Sequence, residues 1–185
     1  MAKTLLYGEA EIFNGHDSNF KLDNSRVANR SWFSQNSSSA AVKLSRLVEI
    51  HTGFDPYFAE AFQVFRYGKG GHYAPHYDFI PEENFDVLNQ RMGNRIATFL
   101  IVLKTATVGG GTVFPWLQLT VKPYPGDALM WFNMKTDDSL ALQTLHAACP
   151  VEKGGKLVIS LWLRANGQLF RTKCPVGSEH FELVM

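Results

Sequence analysis

The spacing of apolar residues divides the chain into one helical stretch followed by a series of short strands. Residues 40–51 (AAVKLSRLVEIH) place Val42, Leu44, Leu47, Val48 and Ile50 near helical spacing, which predicts a helix with one apolar side. The serine-rich turn at 34–39 leads into it, and Gly53 is suited to stop it. Beyond Asp55 the period changes. Residues 61–67 (AFQVFRY) are aromatic and β-rich, the GKGG of 68–71 breaks them, and 72–79 (HYAPHYDF) resumes as strand. Residues 82–91 are polar and read as a short helix or a loop. A strongly apolar strand at 96–103 (IATFLIVL) is closed by Gly109, Gly110 and Gly111. Further strands are expected at 112–114, 119–122, 127–133, 142–147 and 156–164. The pattern is mostly β with flanking helices, a double-sheet barrel or sandwich with a helix packed outside. No internal repeat or long linker divides it, so residues 1–185 read as a single domain.

Composition narrows the function classes. Hydrophobic residues at 45% and charged residues at 19% make an ordinary globular balance. A formal net charge of +1 argues against a nucleic-acid binder that relies on a basic field. No apolar run approaches the roughly 18 residues of a membrane span, and residues 1–7 lack the regions of a secretory signal. Two cysteines, Cys149 and Cys174, are too few for a disulfide framework; two buried thiols and one bridge both fit their spacing.

The candidate chemistry begins with His76 and Asp78. Strand side chains alternate faces, so this H-x-D pair would project to one side. A third ligand would complete a two-histidine, one-carboxylate triad, which leaves positions open on Fe(II) for a co-substrate and dioxygen. The pair alone is weak evidence, since a surface or hydrogen-bonded His and Asp fit as well. Five other histidines compete for the third place, and His146, placed at the end of an apolar strand, suits it best. Ten residues beyond it, Lys156 opens the strand KLVISLWLR. Alternation puts Lys156, Val158, Ser160 and Trp162 on one face and Leu157, Ile159, Leu161 and Leu163 on the other. A strand-start lysine ordinarily reaches water; one pointing inward requires an anion. A dicarboxylate that chelates iron at one end would supply it.

The blocks FQVFRYGKGGHYAPHYDF, GNRIATFLIVL, GGGTVFP and HAACPVEKGGKLVISLWLRANGQLFRTKC, in this order, resemble those of collagen-type prolyl 4-hydroxylases from about Ala61 to Cys174. The resemblance implies a double-stranded β-helix (jelly-roll) core and hydroxylation of peptidyl proline at C4, coupled to oxidative decarboxylation of 2-oxoglutarate to succinate and CO2. It implies Fe(II), 2-oxoglutarate, O2 and ascorbate as cofactors, with His76, Asp78 and His146 as iron ligands. Lys156 would bind the outer carboxylate of 2-oxoglutarate, helped by the hydroxyls of Tyr67 and Thr112. Tyr73, Arg95 and Trp162 match positions near a peptide groove. Oxygen-sensing relatives carry an arginine nine residues after the distal histidine, where this chain has Gly155, so the collagen, plant and algal types fit better. Cys149 and Cys174 match a cysteine pair that the family joins as a disulfide, which implies the endoplasmic reticulum lumen. A proline-rich, procollagen-like peptide is the implied substrate and protein disulfide isomerase the implied partner. The match is weaker upstream, as though the family's first strand and helix were missing, which would leave a sheet edge open. Two rival readings share the site: a 2-oxoglutarate oxygenase acting on another peptide or a small molecule, and a non-catalytic peptide-binding paralogue. A zinc hydrolase would use His and Asp ligands but gives Lys156 no role.

Overall fold

A computed structural model of the chain describes Gly8–Glu9 and residues 25–168. Among these residues the strands are β1 (Gly8–Glu9), β2 (Arg26–Val27), β3 (Asn29–Phe33), β4 (Phe62–Tyr67), β5 (His72–His76), β6 (Arg95–Lys104) and β7 (Val108–Gly109), then β8 (Thr112–Phe114), β9 (Leu119–Val121), β10 (Ala128–Phe132), β11 (His146–Ala148), β12 (Val151–Lys153) and β13 (Lys156–Arg164). The helices are α1 (Ser39–Thr52) and α2 (Val87–Met92). Six strands form one sheet in the order β1-β3-β4-β13-β6-β10, and five form a second in the order β2-β5-β11-β8-β9, while β7 and β12 make a separate ribbon. All the pairings are antiparallel. The two sheets are what the strand pattern predicts, and their arrangement is the jelly roll that the resemblance implies.

Strand β13 divides the interior. It lies between β4 and β6, so both of its edges are paired, and an apolar cluster covers each of its faces. Val158 and Trp162 enter the cluster between the sheets, beside Phe65, Leu100, Phe114 and Trp131. Ile159, Leu161 and Leu163 point the other way, into a layer with Phe62, Val64, Ala97, Ile101 and Val48 of α1. The alternation read from KLVISLWLR is therefore the alternation of the fold.

Helix α1 starts where the hydroxyl of Ser38 accepts a hydrogen bond from the Ala41 amide and ends at Gly53 with φ 73°. Its buried stripe is Ala41, Ser45 and Val48, with Leu44 beside them. Val42, Leu47 and Ile50, expected on the apolar side, are exposed instead. The helix touches the sheet along a narrow line, and small residues occupy that line. Ser45 fits there because its hydroxyl donates to the Ala41 carbonyl at 2.9 Å.

Three further expectations are corrected. The strand expected over 72–79 ends at His76, and Tyr77 to Phe79 bend away from it. What replaces the ladder is a side chain: Asn94 accepts from the Ile80 amide at 2.8 Å and donates to the Ile80 carbonyl at 2.9 Å. The strand expected over 142–147 is a 3-10 turn, Leu142–Thr144, and His146 opens the strand that follows rather than ending one. The edge of β4 is covered by β3, which the sequence did not reveal, and β1 pairs beyond it.

Candidate metal centre

The second sheet brings the two histidines together. His76 closes β5, His146 opens β11, and the two are register partners across the antiparallel pair. Their rings lie 4.2 Å apart between centroids. Each uses Nδ1 on a nearby carbonyl, His76 on Ala74 at 2.8 Å and His146 on Thr144 at 2.9 Å. A carbonyl only accepts, so Nδ1 carries the proton and Nε2 of each neutral ring keeps its lone pair. Both Nε2 atoms point at one carboxylate: His76 is 3.7 Å from Asp78 Oδ1, and His146 is 3.5 Å from Asp78 Oδ2. The ligand atoms of the three residues all lie within 4.8 Å of one another.

Electrostatics keeps this set in a ligating form. Burial pushes the His76 imidazole down to about 4, against the pull of the Asp78 carboxylate. Burial would raise the Asp78 carboxyl, but His146, His76, Arg95 and a hydrogen bond from the Thr98 hydroxyl together hold it below the usual carboxylate range. Two imidazole nitrogens and one carboxylate converge, with Tyr73 stacked on His76 at 3.6 Å and Trp131 edge-on to His146 at 4.7 Å. Asp78 does not reach the histidines by continuing their strand, as the H-x-D spacing suggested. It comes from the bend after β5.

A small cavity opens on the three residues. Lys156, at the start of β13, lines the same cavity and is 6% exposed. Its ammonium donates to the Thr112 hydroxyl at 3.2 Å, and no carboxylate pairs with it among the described residues. Burial lowers its pKa to about 8. Tyr67 is fully enclosed beside it, the lysine nitrogen lying 5.7 Å from its ring centre, and burial pushes the phenol up. A buried cation with only a neutral hydroxyl beside it among the described residues marks a place for an anion.

Of the residues matched to a peptide groove, Tyr73 and Trp162 line the cavity. Arg95 is committed to protein contacts: it forms a bidentate pair with Glu60 (2.5 and 2.7 Å) and lies 4.2 Å above the Trp162 ring. Glu60 also accepts from Arg164 at 2.9 Å. The sequence reading missed Glu60, and nothing in its spacing singles it out. It also missed Thr98, although a lone hydroxyl in IATFLIVL was a visible irregularity. Among the described residues Cys149 forms no disulfide, and Cys174 lies outside them.

Residues 62–164 match the 2OG-Fe(II) oxygenase superfamily. The chain belongs to that superfamily. It is similar to prolyl 4-hydroxylase subunit alpha-1 of Gallus gallus, 39% identical over 153 residues, which make up 82% of this chain and 30% of the relative. It is also similar to prolyl 4-hydroxylase subunit alpha-2 of Caenorhabditis elegans, 38% identical over 157 residues, or 83% and 29%. The chain thus spans about 30% of the length of the curated relatives it matches. Among solved structures it resembles the viral collagen prolyl hydroxylase of Paramecium Bursaria Chlorella virus-1 in a 2OG complex. The TM-score is 0.65 at 27% identity, over 76% of this chain and 80% of that one.

The residues of this oxygenase chain fit the groups its superfamily uses. Two imidazoles and one carboxylate on one side of a cavity suit Fe(II) and leave its other side open. The cavity also contains the buried ammonium that a dicarboxylate needs at its far end.

Proposed function

We propose that this chain is the catalytic domain of a prolyl 4-hydroxylase, with residues 1–185 acting as one unit. It adds a hydroxyl to C4 of proline in a proline-rich, procollagen-like peptide and couples this to conversion of 2-oxoglutarate to succinate and CO2. The observation that carries the reading is Lys156, a buried cation that has no carboxylate partner among the described residues and shares one cavity with the His–Asp–His cluster. The identity of about 38% to prolyl 4-hydroxylase subunits supports proline as the target.

In this reading His76 Nε2, His146 Nε2 and the Asp78 carboxylate hold Fe(II). Lys156 binds the outer carboxylate of 2-oxoglutarate, with Thr112 and Tyr67 completing that end. When bound, iron with 2-oxoglutarate and dioxygen supplies the oxidising power for C–H hydroxylation. The protein orients: the Nδ1 bonds fix both imidazole rings, and Phe65, Leu100, Trp131 and Val158 give the cavity apolar walls. Tyr73 and Trp162 form the wall that the peptide meets, and Arg95 braces Trp162 while pairing with Glu60.

Ascorbate is the reductant in this scheme, the endoplasmic reticulum lumen the compartment and protein disulfide isomerase the partner. Cys149 bridges to Cys174 in the oxidised protein. These four points rest on the family resemblance. Among the described residues no helix is long and apolar enough to cross a membrane.

The test is iron-dependent succinate release with a panel of proline-containing and lysine-containing peptides. Stimulation by the proline peptides alone is expected, and stimulation by lysine peptides would overturn the substrate assignment. His76→Ala is expected to abolish release.

A further inference from the structure

We infer that Thr98, oriented by Asn133, is a positioning residue that reserves one oxygen of Asp78 for the metal. The inference rests on the iron-site reading above and extends it to which carboxylate oxygen serves.

Thr98 lies inside β6, between Trp131 of β10 and Trp162 of β13, and is 1% exposed. A hydroxyl there is costly unless hydrogen-bonded, and valine would suit the strand equally well. The hydroxyl is used twice. It donates to Asp78 Oδ2 at 2.6 Å and accepts from Asn133 Nδ2 at 3.0 Å. Asn133 is fully buried just beyond β10, and its backbone is pinned on both sides: its amide donates to the Ile96 carbonyl at 2.8 Å, and its carbonyl accepts from the Ala141 amide at 3.0 Å.

The direction of the relay follows from donor counting. A hydroxyl has one proton, and a carboxylate can only accept. The Thr98 proton therefore goes to Asp78, and Asn133 must present its amide nitrogen rather than its oxygen. Its Oδ1 accordingly has no partner among the described residues, a cost accepted in the folded state. This charge-assisted bond occupies Oδ2 in a fixed direction, and no hydrogen bond among the described residues reaches Oδ1. Asp78 is held as a one-oxygen ligand through Oδ1. Were the carboxylate free to turn and offer both oxygens, it would occupy a position that the facial arrangement leaves for co-substrate.

The test is titration of the metal-free full chain with Co(II), followed by its visible absorption band, with and without 2-oxoglutarate. Wild type is expected to bind Co(II), Thr98→Val to bind it about 10- to 100-fold more weakly with an altered band, and Thr98→Ser to restore both. Asn133→Leu supplies a second variant. It removes the donor to Thr98 and also the unpartnered Oδ1, so Co(II) affinity should fall while the melting temperature of the metal-free chain does not. A merely structural role would lower both together. Thr98→Val with wild-type affinity and band, on a wild type that does bind, overturns the inference and leaves the iron site standing. If Thr98→Val fails to fold, wild-type affinity in Asn133→Leu overturns it. Absence of Co(II) binding by wild type overturns the iron-site reading and this inference with it.

Discussion

Lys156 illustrates how one side chain gains meaning from its surroundings. Its ammonium has a hydroxyl for company and no carboxylate among the described residues, so burial, partly offset by Cys149, lowers its pKa to about 8. An incoming carboxylate would raise that value again, and the 2-oxoglutarate affinity is therefore linked to protons. Affinity is expected to fall as pH rises above about 8, which calorimetric titration of the metal-loaded chain would measure. Stability runs the other way. Between about 8 and the ordinary lysine value of 10.5 the unfolded chain holds a proton that the folded one has lost, so the ligand-free chain should become more stable with rising pH across that window. Urea midpoints at several pH values check the sign. Replacing Lys156 by Ala removes a charge-assisted contact of about 1.5–3 kcal/mol, weakening 2-oxoglutarate roughly 10- to 100-fold while leaving metal affinity intact. At this scale the sequence was informative because Lys156 stands at a fixed distance from His146. It said nothing of Glu60, whose place depends on two arginines far along the chain.

At the scale of elements, β13 was legible in full, since a strand covered on both faces reads as an apolar run whatever packs on it. Leu161→Ala, at a site with no exposure, should cost about 2–5 kcal/mol by denaturant unfolding, without a change in the slope that would signal a new topology. The elements that were misread are those set by distant groups. Asp78 leaves its strand because Asn94 takes over the backbone of Ile80, and His146 follows a 3-10 turn that apolar composition disguises as strand. The short strand β3 carries little pattern of its own and exists because β4 needs an edge partner. Gly109 was read only as a strand breaker, but it has φ 72° and a Cβ there would run into the carbonyl oxygen of Pro150. Gly109→Ala is expected to lower stability by at least about 1 kcal/mol and to loosen the β7–β12 ribbon, seen as faster amide exchange at Thr107 and Gly110, whose amides donate to the carbonyls of Lys153 and Pro150.

Across the whole molecule the two sheets have separate tasks. The six-stranded sheet carries the core on both faces, and it contributes Lys156, Thr98 and Trp162, while Tyr73 comes from the other sheet. The five-stranded sheet contributes the paired histidines. The site exists only where the sheets meet, which explains why no local motif announced it and why several ordered blocks were required. If Cys149 and Cys174 are joined, as proposed, the closed loop should contribute about 3.5 kcal/mol in the chain-entropy model. Comparing denaturation midpoints with and without reductant would register that loss, and equal midpoints would exclude the bridge. The central claim concerns chemistry, and mass spectrometry of a (Pro-Pro-Gly)-type peptide tests it most directly. After incubation with the chain, Fe(II), ascorbate and 2-oxoglutarate, the account predicts the addition of single oxygen atoms at proline C4 with an equal amount of succinate, both lost in His76→Ala. An unmodified peptide alongside a chain that has bound its metal and 2-oxoglutarate would contradict it.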